Sequence, residues 1–172
     1  MNETIKTLVE RRSVRKFTDK QIPKEILEQI IEAGLYAPTG KNMRNTLFLV
    51  VTDKELRDRI SKLNADVMGS DNDPFYGANT VIIVFADTSR YTYVEDGALA
   101  MGNMMNAAFS LGVDSCWIHR AKEVFESAEG REIARSFGIP DSFAGVGNCI
   151  LGYRDCELPS PAPRTQKVIY AE

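Results

Sequence analysis

The chain has 172 residues, 24 acidic and 21 basic, giving a formal net charge of −3, with 44% hydrophobic and 26% charged residues. That length and balance fit one soluble globular domain, 1–172, with a substantial core, and they argue against the broad basic face of a general nucleic-acid binder. No apolar run reaches the length of a membrane span, and the opening Met1-Asn2-Glu3-Thr4-Ile5-Lys6 lacks the charged-then-apolar order of a signal peptide, so the cytoplasm is the default expectation.

Cys116, Cys149 and Cys156 form no C-x-x-C pair, and His119 is the only histidine. A zinc site, a disulfide framework and a histidine-based triad therefore have no sequence support, and no G-x-S-x-G motif supplies a nucleophile. No metal ligand and no catalytic side chain is expected. The cysteines read as small core residues.

In chain order, Thr4 is expected to cap a short helix with Ile5, Leu8 and Val9 as its apolar stripe. The helix runs into Arg11-Arg12-Ser13-Val14-Arg15-Lys16, four cations and a hydroxyl in six residues. On a continuing helix Arg11 and Arg15 would share a face. Guanidinium forks match phosphate oxygens, so the cluster is either an anion site or a solvated basic helix end that complements the macrodipole. Pro23 suits a first helical residue, and Ile26, Leu27, Ile30, Ile31, Gly34 and Leu35 keep a helical period to about residue 36. Ala37-Pro38-Thr39-Gly40-Lys41-Asn42 breaks that helix as a loop, and 47–52 reads as a buried strand.

Asp53 is expected to cap a helix to about residue 66, with Leu56, Ile60 and Leu63 inward. Residues 68–79 form a long polar loop containing Pro74, Phe75 and Tyr76, a place to shape an acceptor pocket. A second buried strand, 80–86, precedes a long helix, 94–111, ended by Gly112. Its small residues, among them Gly97, Ala100, Gly102 and Ala108, suit close approach of another helix or of a flat ligand. A strand at 114–118, a helical region at 122–137 with a break near Gly130, and a strand at 146–153 follow. The tail from Glu157 carries Pro159, Pro161 and Pro163, so it is extended. It closes on Val168-Ile169-Tyr170 as an edge strand that docks on a partner subunit or on its own sheet.

Strands alternating with helices invite a dinucleotide-binding reading, which the motifs refuse. The nearest glycine run, Gly145-Val146-Gly147-Asn148-Cys149-Ile150-Leu151-Gly152, has its third glycine too late and lies in a strand. No P-loop is present.

Five segments in order carry a different signal: Arg11-Arg12-Ser13-Val14-Arg15, Ala37-Pro38-Thr39-Gly40-Lys41-Asn42, Leu111-Gly112-Val113-Asp114-Ser115-Cys116-Trp117-Ile118, Ile150-Leu151-Gly152-Tyr153 and Pro163-Arg164. Together they resemble the FMN-dependent nitroreductase family over nearly the whole length. The resemblance implies an α+β fold of three layers, α/β/α, around a mixed, mostly antiparallel sheet. It also implies a homodimer with FMN at the interface and a C-terminal tail laid on the partner subunit. It assigns the FMN phosphate and ribityl chain to Arg11, Arg12, Ser13 and Arg15, and the loop contact from the partner subunit to Pro38, Thr39, Gly40 and Asn42. The pyrimidine edge falls to Asn64, the backbone beside N5 and O4 to Trp117, Ile118 and His119, and a returning phosphate contact to Arg164. Two departures stand out. Arg44-Asn45 occupies the place of a frequent Gln-Pro, and His119-Arg120 that of a frequent acid or glycine.

The function so implied is an NAD(P)H-dependent FMN oxidoreductase, with NADH or NADPH as donor. It would reduce nitroaromatics, quinones or similar electron-poor small molecules by ping-pong hydride transfer through flavin N5, with binding and electrostatics supplied by the protein. Same-fold dehalogenation or enone reduction, and non-catalytic flavin binding, are the alternatives.

Overall fold

Two strands are buried on both faces, and the rest of the chain is arranged to cover them. The computed structural model describes residues 1–171. Its elements are α1 (Glu3–Glu10), α2 (Lys24–Leu35), a 3-10 turn (Gly40–Asn42), β1 (Thr46–Val51), α3 (Lys54–Met68), β2 (Thr80–Asp87), α4 (Tyr93–Ser110), β3 (Asp114–Ile118), α5 (Ala121–Glu126), α6 (Ala128–Ser136) and β4 (Phe143–Gly152). The sheet order is β1-β2-β4-β3, and every pairing between these strands is antiparallel. The parallel component of the expected mixed sheet is one isolated bridge, Ser13 to Ser115, on the outer side of β3.

Side chains alternate along each strand. Val81, Ile83 and Phe85 enter a core with Ile60 of α3, Phe125 of α5 and Ile133 of α6. Ile82, Val84 and Ala86 enter a second core with Ile30 of α2 and Met101 and Met104 of α4. Helices on both faces make the three layers, and they explain why the central strands read as unbroken apolar runs although the sheet is antiparallel.

The β2–β4 ladder slips once. Val84 faces Gly147 but Phe85 faces Gly145, so Val146 is an extra residue, a β-bulge. Val146 turns into the α4 core together with its neighbour Cys149. Room for it comes from Gly97 of α4, where a Cβ would sit 2.6 Å from a Val146 methyl.

Several boundaries differ from the sequence expectation for local reasons. Asn2, not Thr4, caps α1, its Oδ1 accepting from the Ile5 amide at 2.9 Å. Pro23 is the cap residue of α2 rather than its first turn, with ψ 143°. The break in the fifth helical region falls at Ser127, which ends α5 and whose hydroxyl accepts from the Gly130 amide to start α6. Gly130 itself is helical, pressed against the Val124 carbonyl. Asp53 caps α3, and Gly112, at φ 76°, follows α4 as expected. Residues 168–170 form no strand, because they meet no strand edge within the chain, and they are exposed. Cys156 is exposed beyond the end of β4, unlike buried Cys116 and Cys149, and so is not a core residue.

Gly97→Ala gives a clear sign test. Helix propensity alone would favour alanine by about 0.8–1 kcal/mol. The clash with Val146 reverses this, and we expect a net loss of about 1–3 kcal/mol in urea denaturation.

Candidate functional site

The basic segment is not helical. α1 ends at Glu10, and Arg11 is its C-cap with ψ 135°. The chain then runs extended along β3, the Val14 amide donating to the Ser115 carbonyl at 3.1 Å. Arg11 and Arg15 are therefore not on one helical turn, because the ladder beside β3 offers hydrogen bonds that a continued helix would forfeit. In an extended segment Arg11, Ser13 and Arg15 share a side by the period of two, and Val14 between them is buried in the core. The segment is stitched onward to the end of β4: Phe17 bridges Arg154, the Thr18 amide donates to Tyr153, and Lys16 pairs with Asp155 at 2.9 Å.

Arg12 turns back on α1, its Nη1 donating to the Val9 and Arg11 carbonyls at 2.8 and 2.6 Å. Arg11 Nη1, Arg12 Nη2 and Ser115 Oγ are buried with no partner among the described residues. Ser115 was not singled out by sequence reasoning, since nothing in a short apolar strand marks one serine as facing the Ser13 bridge. Unpartnered buried donors of this kind cost about 1–3 kcal/mol each. Guanidinium and hydroxyl donors left over in this way are of the chemistry that suits a phosphate group.

The loop after α2 is pinned from below. Asp96, buried in the first turn of α4, accepts from the Gly40 amide at 2.8 Å and from the Thr92 hydroxyl at 2.9 Å. The Thr92 side chain leaves no space for a Cβ at Gly40. Thr39 Oγ1 accepts from the Arg44 amide at 3.0 Å. Between these anchors Lys41, Asn42 and Arg44 all hold positive φ, 53°, 55° and 51°, a conformation costing non-glycine residues roughly 1–2 kcal/mol each. The loop walls a cavity of about 490 Å³ with Tyr36, Pro38, Thr39, Asn42, Arg44 and Thr46.

The third part is the turn from β3 into α5. Trp117 faces α4 across Gly147, Ile118 is buried on the other side, and His119 is exposed. Arg120 caps α5 at φ 74°. Two buried amides brace this turn. Asn64 Nδ2 donates to the His119 carbonyl at 2.9 Å, and Asn148 Nδ2 lies 3.2 and 3.4 Å from the Ile118 and His119 carbonyls. Asn64 thus sits beneath the turn, fully buried, with its Oδ1 unpartnered. Asn148 was missed by sequence reasoning, although a lone asparagine in an apolar strand is the kind of signal that finds it.

The tail and the 69–79 loop stand apart from these parts. Arg164 is exposed in the extended tail and makes no ion pair or hydrogen bond among the described residues. Phe75 is fully buried in the core and stacks under the Arg57 guanidinium, so it cannot line an acceptor pocket. Arg57 also donates to Asp73 at 2.5 Å and to the Ala78 carbonyl at 3.0 Å, which ties the loop to α3.

The nitroreductase family profile matches residues 8–72 and 67–153. The chain belongs to the nitroreductase family. It is 40% identical over 184 residues to a Bacillus subtilis protein named FMN reductase [NAD(P)H], covering 97% of this chain and 69% of that one. A Bacteroides fragilis nitroreductase solved with bound FMN superposes with a TM-score of 0.90 at 32% identity, covering all of both chains. A Desulfitobacterium hafniense nitroreductase with bound FMN gives 0.89 at 28% identity, again over both full chains.

In this nitroreductase-family chain the basic segment lies outside β3 and the strained loop leads into β1, at opposite edges of the sheet. Two outcomes follow from the side chains that hold these parts. Asn64→Leu and Asn148→Leu should each cost about 1 kcal/mol, and the double variant should exceed their sum by about 1 kcal/mol, because only then is the shared carbonyl left bare; urea denaturation of the four-protein cycle measures this. Burial pushes the Asp73 carboxyl up, but hydrogen bonds from Arg57, Ser61 and the Gly77 and Phe75 amides outweigh it and hold it below the ordinary carboxylate range. Its stabilisation is complete above the unfolded value of about 3.9 and is lost as pH falls through the depressed folded value. Asp73→Asn should therefore flatten the acid limb of stability against pH, followed by thermal melts from pH 6 to 2.5.

Proposed function

We propose that this chain is an FMN-dependent NAD(P)H oxidoreductase, a cytoplasmic single-domain homodimer with an FMN site at each end of its interface. It reduces nitroaromatics, quinones or similar electron-poor small molecules in a ping-pong cycle. The observation that carries the reading is three buried donors without a partner among the described residues, Arg11 Nη1, Arg12 Nη2 and Ser115 Oγ, the last on the strand residue that bridges Ser13, in a chain of this family. They ask for a phosphate. The family relatives and their FMN complexes support naming it as that of FMN.

In this reading Arg11, Arg12, Ser13 and Arg15 hold the phosphate and ribityl chain, with Ser115 added to them and Arg164 returning from the tail. Pro38, Thr39, Gly40 and Asn42 come from the second copy. The second copy is supported by the placement of the two halves at opposite edges, and by α1, whose Ile5, Leu8 and Val9 are half-exposed on one face. The extended tail with exposed Val168, Ile169 and Tyr170 is the matching arm laid on the partner.

When bound, FMN supplies the hydride chemistry, and the protein's part is to place and polarise it. Trp117, Ile118 and His119 present backbone along the ring. Asn64 and Asn148 fix the His119 carbonyl, and so the direction in which the next amide points. Asn64 acts from underneath here rather than by direct contact with the pyrimidine edge.

The purified protein should be yellow and release FMN by mass. NADH or NADPH should bleach it anaerobically; a flavin that stays oxidised with both donors would sink the oxidoreductase reading. Arg11→Ala should weaken FMN binding roughly 10- to 100-fold, the loss of one charge-assisted phosphate contact, with an unchanged far-ultraviolet circular dichroism spectrum. Equal affinity in an equilibrium titration would remove the phosphate assignment.

A further inference from the structure

The strained loop carries charge that its fold does not use. Between Glu32 and Asp53 the sequence has two cations, Lys41 and Arg44, and no acid. Neither cation forms an ion pair among the described residues. The carboxylate bonded to this loop, Asp96, is buried and already engaged by Gly40 and Thr92. Yet the backbone is held at positive φ to present these residues, and strain of this kind persists only where the surroundings over-determine it. Arg44 is the more constrained of the two. Its own amide is tied to Thr39, so the guanidinium starts from a fixed point on the rim of the 490 Å³ cavity. The same cavity offers the exposed ring of Tyr36 and the face of Pro38, flat apolar surfaces for an aromatic molecule.

We propose that the electron acceptor is an aromatic molecule bearing a carboxylate, and that Arg44 reads this carboxylate as a bidentate fork while Tyr36 takes the ring. This rests on the oxidoreductase reading for its chemistry but not for its binding step. A planar guanidinium selects a planar carboxylate over a carboxamide, because only the carboxylate accepts two charge-assisted bonds.

The test pairs 4-nitrobenzoate with 4-nitrobenzamide as acceptors for the flavin-loaded enzyme, with benzoate and benzamide as inert ligands in titration calorimetry. The amide has the same shape and the more electron-poor ring, so intrinsic reactivity favours it. We expect the ratio of kcat/KM, benzoate over benzamide, to exceed one and to fall about tenfold in Arg44→Gln, the value of one charge-assisted pair. Arg44→Lys should recover part of it. The preference should also shrink between 20 mM and 300 mM salt. Calorimetry should rank benzoate above benzamide in the wild type and not in Arg44→Gln, whether or not either protein turns over. Failure of flavin reduction with intact benzoate preference would therefore reject the activity and keep the carboxylate site. A ratio unchanged by Arg44→Gln overturns the proposal. So does a fall in the NADPH-over-NADH ratio with no change in the acceptor pair, which would assign Arg44 to the donor's phosphate.

Discussion

The order of four strands governs everything else in this molecule. With β2 and β4 in the middle, their faces must both be covered, which fixes α2 and α4 on one side and α3, α5 and α6 on the other. β1 and β3 are left as edges, roughly 14 Å apart at three strand spacings. The basic segment takes the outer side of β3, and the strained loop leads into β1. A site needing both is easily completed by two copies, each giving its β3 side to the other's loop. In the proposed dimer the sheet's width would thus set how the site is shared.

The same cores explain where polar groups are tolerated. Asp96, Asn64, Asn148 and Arg57 are all buried, and each hydrogen-bonds a carbonyl, an amide or a side chain of a loop outside its own element. Burying such groups is unfavourable unless they are paired. Here the pairing does a second job, since it holds segments that are not self-supporting. The positive-φ residues Lys41, Asn42 and Arg44 stand above Asp96, and Arg120 stands beside the Asn64–Asn148 brace. Strain and buried polarity therefore occur together, at the two loops expected to meet ligand and again in the 69–79 loop, where Tyr76 holds φ 52° beside the Arg57–Asp73 tie.

Much of this was legible in the chain. Asp53 reads as a cap and is one; the small strand 114–118 and the Gly112 stop follow from composition and propensity alone. What local pattern could not give was register. The Val146 bulge depends on a cavity over Gly97 that belongs to another element, and strands buried on both faces lose the alternation that would have marked them antiparallel. The basic cluster was legible as chemistry but not as conformation, because its backbone is decided by the free edge of β3. The strand expected at 168–170 had the opposite problem: its residues suit a strand, but pairing needs an edge that its own chain does not offer.

Charge distribution gives the site its direction. The chain carries −3 overall, so at long range it does not attract anions, and at physiological salt such fields fade beyond about 8 Å. Recognition of an anionic ligand must then come from cations placed within contact distance and spared internal partners. Arg11, Arg15, Lys41 and Arg44 meet that condition, whereas Arg57, Arg59, Arg135 and Arg154 are all held by carboxylates of the same chain. The division is not one of sequence density alone, since Lys16 belongs to the basic run yet is neutralised by Asp155. For these four it follows from where the fold leaves them, Arg11 and Arg15 beside the β3 edge and Lys41 and Arg44 on the strained turn.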